Sequence, residues 1–129
     1  FIPTVVRCAL EKQPIPIYSS GHNSRDWLFV DDHCAAIERV LSLPADAPTI
    51  LHIAANEERK NIDVAKIILD CLGVSHNFLT SVPDRPGHDW RYALDASYLL
   101  KQGWKPLISF TEGIQRTIDW YKQALQSAK

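Results

Sequence analysis

The stretch Asp84-Arg85-Pro86-Gly87-His88-Asp89-Trp90-Arg91-Tyr92 concentrates more chemically capable side chains than any other part of the chain. Pro86 fixes its own φ and drives Arg85 toward extended geometry, and Gly87 permits a turn that a side chain would resist. A guanidinium held in one direction suits a doubly charged oxyanion such as a diphosphate, because its planar fork of donors matches phosphate oxygens. The same residues also suit a surface turn in which Arg85 pairs with Asp89. Residue types alone leave both readings standing.

A second cationic point lies in Arg59-Lys60-Asn61, where a polar loop opens a helix. Helix N-termini bind anions, and two basic residues add to that field; a simple Asn61 N-cap is the alternative. Asp31-Asp32 could suggest acid–base chemistry, but carboxylates at a helix start cap free N–H groups and meet the positive end of the dipole, so a structural role is expected. His52 lies in an apolar run and reads as a hydrogen-bonded core residue. Cys8, Cys34 and Cys71 are widely separated and the five histidines share no ligand spacing, so neither a disulfide framework nor a metal is expected. The chain carries no GxGxxG or GxxxxGK loop, no serine nucleophile elbow and no HExxH.

Several elements must position these groups. Phe1–Leu10 reads as a helix with Pro3 in its first turn, and Pro14–Tyr18 as a short strand whose prolines place it at a sheet edge. Arg25–Val30 is rich in aromatic and branched residues and is expected to be a strand leading into a helix with Cys34, Ile37, Val40 and Leu41 on one face. Thr49–Ala55 is apolar almost throughout, the pattern of a strand buried on both faces. Val64, Ile67, Ile68, Cys71 and Leu72 recur at i, i+3, i+4, i+7 and i+8 before Gly73, which defines the clearest helix. Phe78–Val82 and Arg91–Leu94 are expected to be strands, Asp95 caps a short helix ending at Gly103, and Ser109-Phe110-Thr111-Glu112 forms a capping box for a last helix with Ile114, Ile118, Tyr121 and Leu125 on one face.

With 129 residues, 46% hydrophobic and 22% charged, the chain is a single globular unit of α/β character. Its net charge of -1 offers no bulk attraction to nucleic acid or anionic membrane, so any anion site is local. No apolar run approaches the roughly 20 residues that span a bilayer. No signal peptide opens the chain, and a cytoplasmic location is expected. The start at Phe1 and the absence of Met suggest a piece of a longer protein.

Taken together, Pro14-Ile15-Pro16-Ile17-Tyr18, Arg25-Asp26-Trp27-Leu28-Phe29-Val30-Asp31-Asp32-His33, Glu58-Arg59-Lys60-Asn61 and the Asp84–Ser97 stretch, followed by Gly103-Trp104-x-Pro106, resemble the C-terminal part of dTDP-glucose 4,6-dehydratases. These are extended short-chain dehydrogenase/reductases. The resemblance implies an enzyme in which a Rossmann domain, absent from this chain, binds NAD and carries the reacting groups, so that no catalytic residue is expected here. Residues 1–129 are then a single C-terminal nucleotide-sugar-binding domain for a dTDP-sugar, inactive alone. Pro16, Ile17 and Tyr18 lie beside the base, and Arg25, Asn61, Asp84, Arg85, Pro86, Gly87 and His88 surround the diphosphate and ribose. A homo-oligomer is expected, because the helix after Asp31 and the Thr49–Ala55 strand would leave apolar faces open. Two segments depart from the family: His52–Ala55 lacks its glycine-rich pattern, and Ser19 stands where its Tyr-Gly-x-Gly loop has the first glycine.

Overall fold

The computed structural model describes residues 1–127. Five α-helices and four short strands alternate in the order α1 (Ile2–Leu10), β1 (Ile15–Tyr18), β2 (Ser24–Asp26), α2 (Val30–Leu41), β3 (Glu58–Lys60), α3 (Asn61–Leu72), β4 (Leu79–Val82), α4 (Ser97–Lys101) and α5 (Phe110–Ser127). The strands form two separate pairs. β1 and β4 run parallel with Ile15 opposite Leu79 and Tyr18 opposite Val82. β2 and β3 run antiparallel, with Arg25 opposite Arg59.

Helix α3 forms where its spacing predicts, burying Val64, Ala65, Ile68 and Leu69, and Gly73 ends it in the left-handed conformation at φ 65°. That face packs on Val5, Val6, Cys8 and Ala9 of α1, Ile15 and Ile17 of β1, and Ile114 and Ile118 of α5 in one continuous core. Ile15 is fully buried and Ile17 nearly so, while Pro16 and Tyr18 face outward, so the period of the strand sends one set of side chains to the core and the other to a cleft. A second, smaller cluster joins Ala36, Ala54, Ala96, Leu99 and Trp104.

Gly21 sits at φ 72°, and a Cβ there would lie 2.7 Å from Ile17 Cγ2 and 2.8 Å from Ile62 Cβ, so only glycine fits between β1 and α3. Ser19 adopts φ 51°. It therefore occupies, with a side chain, the left-handed backbone that glycine adopts at least cost.

Several sequence expectations need correction. Of Arg25–Val30, only the first part of the stretch is strand, because Trp27–Phe29 lose the β3 partner and Val30 already belongs to α2. Thr49–Ala55 is irregular: Ile50 is 77% exposed, and no strand lies beside it to supply a hydrogen-bond ladder. His52 is exposed, while its neighbour Ala54 turns into the second cluster. Arg91–Leu94 contributes only an isolated bridge between Arg91 and Ser24. On α2, Cys34, Ile37 and Leu41 are exposed, and the residues that bury are Asp32 and Ala36. Asp32 does not cap its own helix. Its carboxylate accepts the N–H groups of Leu107 (2.9 Å) and Ile108 (2.9 Å), and its carbonyl accepts Trp104 Nε1–H (3.2 Å), which ties α2 to the segment entering α5.

At the other helix starts, Ala96 and not Asp95 holds the N-cap of α4; Asp95, one residue earlier, accepts the N–H of Ser97 at 2.8 Å. Ser109 Oγ accepts the Glu112 N–H at 3.3 Å, which is one half of the expected box; the Glu112 carboxylate turns instead to Arg116. Lys60, not Asn61, holds the N-cap of α3.

Candidate functional site: a cationic cleft between two strand ends

Five stretches of the chain meet at one cleft of about 510 Å³, lined by Phe1, Thr4, Val5, Pro16, Tyr18, Arg25, Trp27, Asn61, Arg85 and His88. Pro16 and Tyr18 come from the outward face of β1, Arg25 from β2, and Asn61 from the first turn of α3. Arg85 and His88 come from the loop after β4. Ile17 does not reach the cleft; it is 4% exposed and packs in the core beneath it. Asp84, Pro86 and Gly87 form the turn that carries Arg85 and His88, with Gly87 at φ 70° and the His88 N–H donated to the Arg85 carbonyl at 3.3 Å.

The loop is anchored to β2 by polar contacts rather than by packing. Ser24 N–H donates to the Trp90 carbonyl (2.8 Å) and Tyr92 N–H to the Ser24 carbonyl (3.1 Å), while Asn23, 2% exposed, donates its amide to the Asp89 carbonyl (3.1 Å). Arg91 forks onto Glu58 of β3 at 2.7 and 2.6 Å. The hydrogen bond from that guanidinium, helped by its charge and opposed by partial desolvation, holds Glu58 below its ordinary range. Arg25 Nη1 donates to the Ser24 carbonyl (2.6 Å) and Nη2 to the Asp89 carbonyl (2.9 Å), with its guanidinium 4.4 Å from the centre of the Tyr92 ring. Tyr92 in turn donates its hydroxyl to Asp89, which is the main reason its acidity is weakened.

Arg85 does not pair with Asp89. Its backbone N–H donates to Asp84 Oδ1 at 2.9 Å, and its guanidinium makes no hydrogen bond among the described residues, so its donor fork stays available at the cleft. The Asp84 carboxyl lies below its ordinary range, chiefly because His88 hydrogen-bonds to it, with the Arg85 N–H adding to the effect and desolvation opposing it. Asn61 Oδ1 is buried without a hydrogen-bond partner. It is an open acceptor on a residue that lines the same cleft as Arg25 and Arg85.

The start of α3 differs from the generic anion site expected there. Its first donors are taken internally, Asn61 N–H by the Asn23 carbonyl (3.0 Å) and Ile62 N–H by the Gly21 carbonyl (2.9 Å). Arg59 turns away, pairing with Glu57 and stacking 4.4 Å from the Phe110 ring centre. Anion capacity at the cleft therefore rests on side chains. Trp27 was not singled out from the sequence, although Arg25 and Trp27 stand at i and i+2 in an extended stretch and so share a face. It lines the cleft with its indole N–H on the Arg59 carbonyl (3.3 Å) and its ring 6.1 Å from that of Phe1.

Residues 1–117 match the family model described as GDP-mannose 4,6 dehydratase. The chain belongs to this family. Within the family it is 43% identical over 128 residues to a dTDP-glucose 4,6-dehydratase of Salmonella typhimurium, covering 93% of this chain and 35% of the relative. It is 39% identical over 122 residues to a dTDP-glucose 4,6-dehydratase of Streptomyces niveus, covering 94% and 36%. The crystal structure of dTDP-glucose 4,6-dehydratase from Bacillus anthracis in complex with NAD superposes with a TM-score of 0.87 at 37% identity, covering 97% of this chain and 40% of that one. The chain thus spans about 36% of the length of the curated relatives it matches. The resemblance read from the four motifs is borne out, and so is the α/β fold of an extended short-chain dehydrogenase/reductase with short strands and five helices. Among the described residues, no helix is long and apolar enough to cross a membrane.

Proposed function

We propose that residues 1–129 are the nucleotide-sugar-gripping domain of a dTDP-glucose 4,6-dehydratase. The whole enzyme converts dTDP-glucose to dTDP-4-keto-6-deoxyglucose and water. The observation that carries the reading is the convergence of Pro16, Tyr18, Arg25, Asn61, Arg85 and His88 on one cleft, with the Arg85 guanidinium unengaged. Arg85 takes the diphosphate with its planar fork of donors. Asn61 Oδ1 accepts a ligand hydroxyl, and Pro16, Tyr18 and Trp27 provide flat apolar surface for the base. NAD supplies the redox chemistry from the part of the relatives that this chain does not cover; no turn here carries a dinucleotide fingerprint. The cleft's contribution is orientation. Holding the diphosphate fixes the hexose against the reacting groups, and oriented reactants lower a barrier by as much as about 7–11 kcal/mol.

Calorimetry with dTDP tests the reading on this chain directly. Binding is expected, and Arg85→Ala weakens it by more than about tenfold while leaving the unfolding midpoint unchanged. Equal affinity in the two proteins overturns the assignment of Arg85. The proposal extends to self-association in solution, which covers the open apolar face of α2, and to a cytoplasmic location.

A further inference from the structure

We propose that Arg91 and Glu58 form a strap behind the cleft, a positioning pair that fixes the distance between the loop carrying Arg85 and the helix start carrying Asn61. At Ser24, β2 lies between two neighbours. On one side Ser24 pairs with Lys60 of β3. On the other it bridges Arg91, with its N–H donated to the Trp90 carbonyl (2.8 Å) and its carbonyl accepting the Tyr92 N–H (3.1 Å). The Arg91 side chain then crosses β2 and sets Nε and Nη2 on the Glu58 carboxylate of β3, at 2.7 and 2.6 Å. Ser24 Oγ donates to the same carboxylate at 3.5 Å. Strand alternation puts Ser24 on the face opposite Arg25, and neither Arg91 nor Glu58 lines the cleft. The pair therefore acts through the elements it joins and not by touching a ligand.

An exposed ion pair adds little to global stability, and this one is exposed, with the Arg91 side chain at 59% and Glu58 at 34%. Its weight is local. From Pro83 to Tyr92 no residue is buried, so the place of the loop depends on its hydrogen bonds rather than on core packing. The fork of two parallel bonds also fixes direction, which a single contact does not. Each partner favours the other's charged form, chiefly through the hydrogen bonds between them, with Glu58 held below its ordinary range and Arg91 raised. At the far end of the strap, β3 runs directly into Asn61, the first residue of α3. The strap thus joins the two elements whose separation must match a ligand held by Arg85 and Asn61 together. That ligand, a nucleoside diphosphate, rests on the function proposed above; the strap itself does not.

Amide hydrogen exchange in the unmodified chain, Arg91→Met and Glu58→Leu reads the strap without any ligand. Either substitution should speed exchange at Ser24 and Tyr92 by about tenfold or more while leaving Ile68 and Leu69 of α3 unchanged, and the double variant should go no further than either single one. Titrations with dTDP and with thymidine then read the positioning. Each single variant should weaken dTDP binding by about fivefold or more and thymidine binding by less than about twofold, because thymidine lacks the phosphates that Arg85 takes. Unchanged exchange at Ser24 and Tyr92, or effects that add in the double variant, overturn the strap. Equal losses for dTDP and thymidine, or dTDP affinity unchanged where the unmodified chain binds it, overturn the positioning role. Faster exchange at the two amides with no binding of dTDP by any form supports the strap and overturns the function proposed above.

Discussion

The cleft side of the molecule and the α2 side close their apolar surfaces differently. Around the cleft, α1, α3, α5 and β1 bury branched aliphatic side chains against one another, with Val6, Ile15, Ile68, Leu69 and Ile118 all fully inaccessible. On the other side, α2 and the 49–55 segment share a cluster made largely of alanines with Leu99 and Trp104, while Leu41 (82%) and Ile50 (77%) stay exposed. The first side buries most of its aliphatic side chains, although Leu10 (38%) and Trp120 (61%) stay exposed. The second leaves Leu41 and Ile50 in water, the face that the proposed self-association would cover. The loop 84–92 is tied by hydrogen bonds to Asn23 and Ser24, between β1 and β2.

The sharpest way to break this contrast is to cut one side chain on each side. Leu69→Ala should lower the stability by about 2–5 kcal/mol, because it leaves a cavity in a closed core. Leu41→Ala should change it by no more than about 0.5 kcal/mol. Urea unfolding of the two variants measures both, and similar losses would mean that α2 is not open. Asp32→Ala should come next, at about 1–3 kcal/mol, since the Leu107 and Ile108 N–H groups then lose their buried acceptor. Thermal unfolding of the variant checks it, and a negligible change would show that the two clusters are not tied through α2.

A smaller effect is expected on association. Light scattering of the unmodified chain should show a mass that rises with concentration, and Leu41→Glu should reduce that rise. A strictly monomeric chain at high concentration removes self-association as the way the face is covered. The smallest effect concerns the clamp turn. Asp84 has a folded pKa below its ordinary 3.8, so the turn's stabilisation is complete above that value and is lost as pH falls through the folded pKa. Carbon-13 NMR of the Asp84 carboxyl should give a midpoint below 3.8. A midpoint at or above it would mean that the His88 and Arg85 hydrogen bonds do not persist in solution.

Local rules carried the reading where a segment's own neighbours decide its state. Helix α3 is legible because its apolar spacing and terminal glycine act within one element, and β1 because two prolines forbid a helix there. The same rules misread Thr49–Ala55, since an apolar run becomes a strand only when another strand offers a ladder, and among the described residues none lies beside it. They also misread Asp32, whose partners lie at Leu107 and Ile108, beyond the reach of any capping rule. His52 followed its segment into solvent.

For the site, the sequence by itself determined a stiffened arginine in Asp84–His88, a strand-borne Arg25 and an Asn61 at a helix start, which follow from backbone preferences acting over a few residues. Pro16, Ile17 and Tyr18 entered through the family resemblance, and the structure turns Pro16 and Tyr18 outward and buries Ile17. Only the tertiary structure decided their roles. Arg25 Nη2 donates to the Asp89 carbonyl across 64 residues of sequence, the Arg85 guanidinium makes no hydrogen bond among the described residues, and Arg59 stacks on Phe110 and does not line the cleft. The physical reason is that a donor is available to a ligand only when no internal acceptor has claimed it, and which acceptors lie within reach is settled by packing between distant parts of the chain.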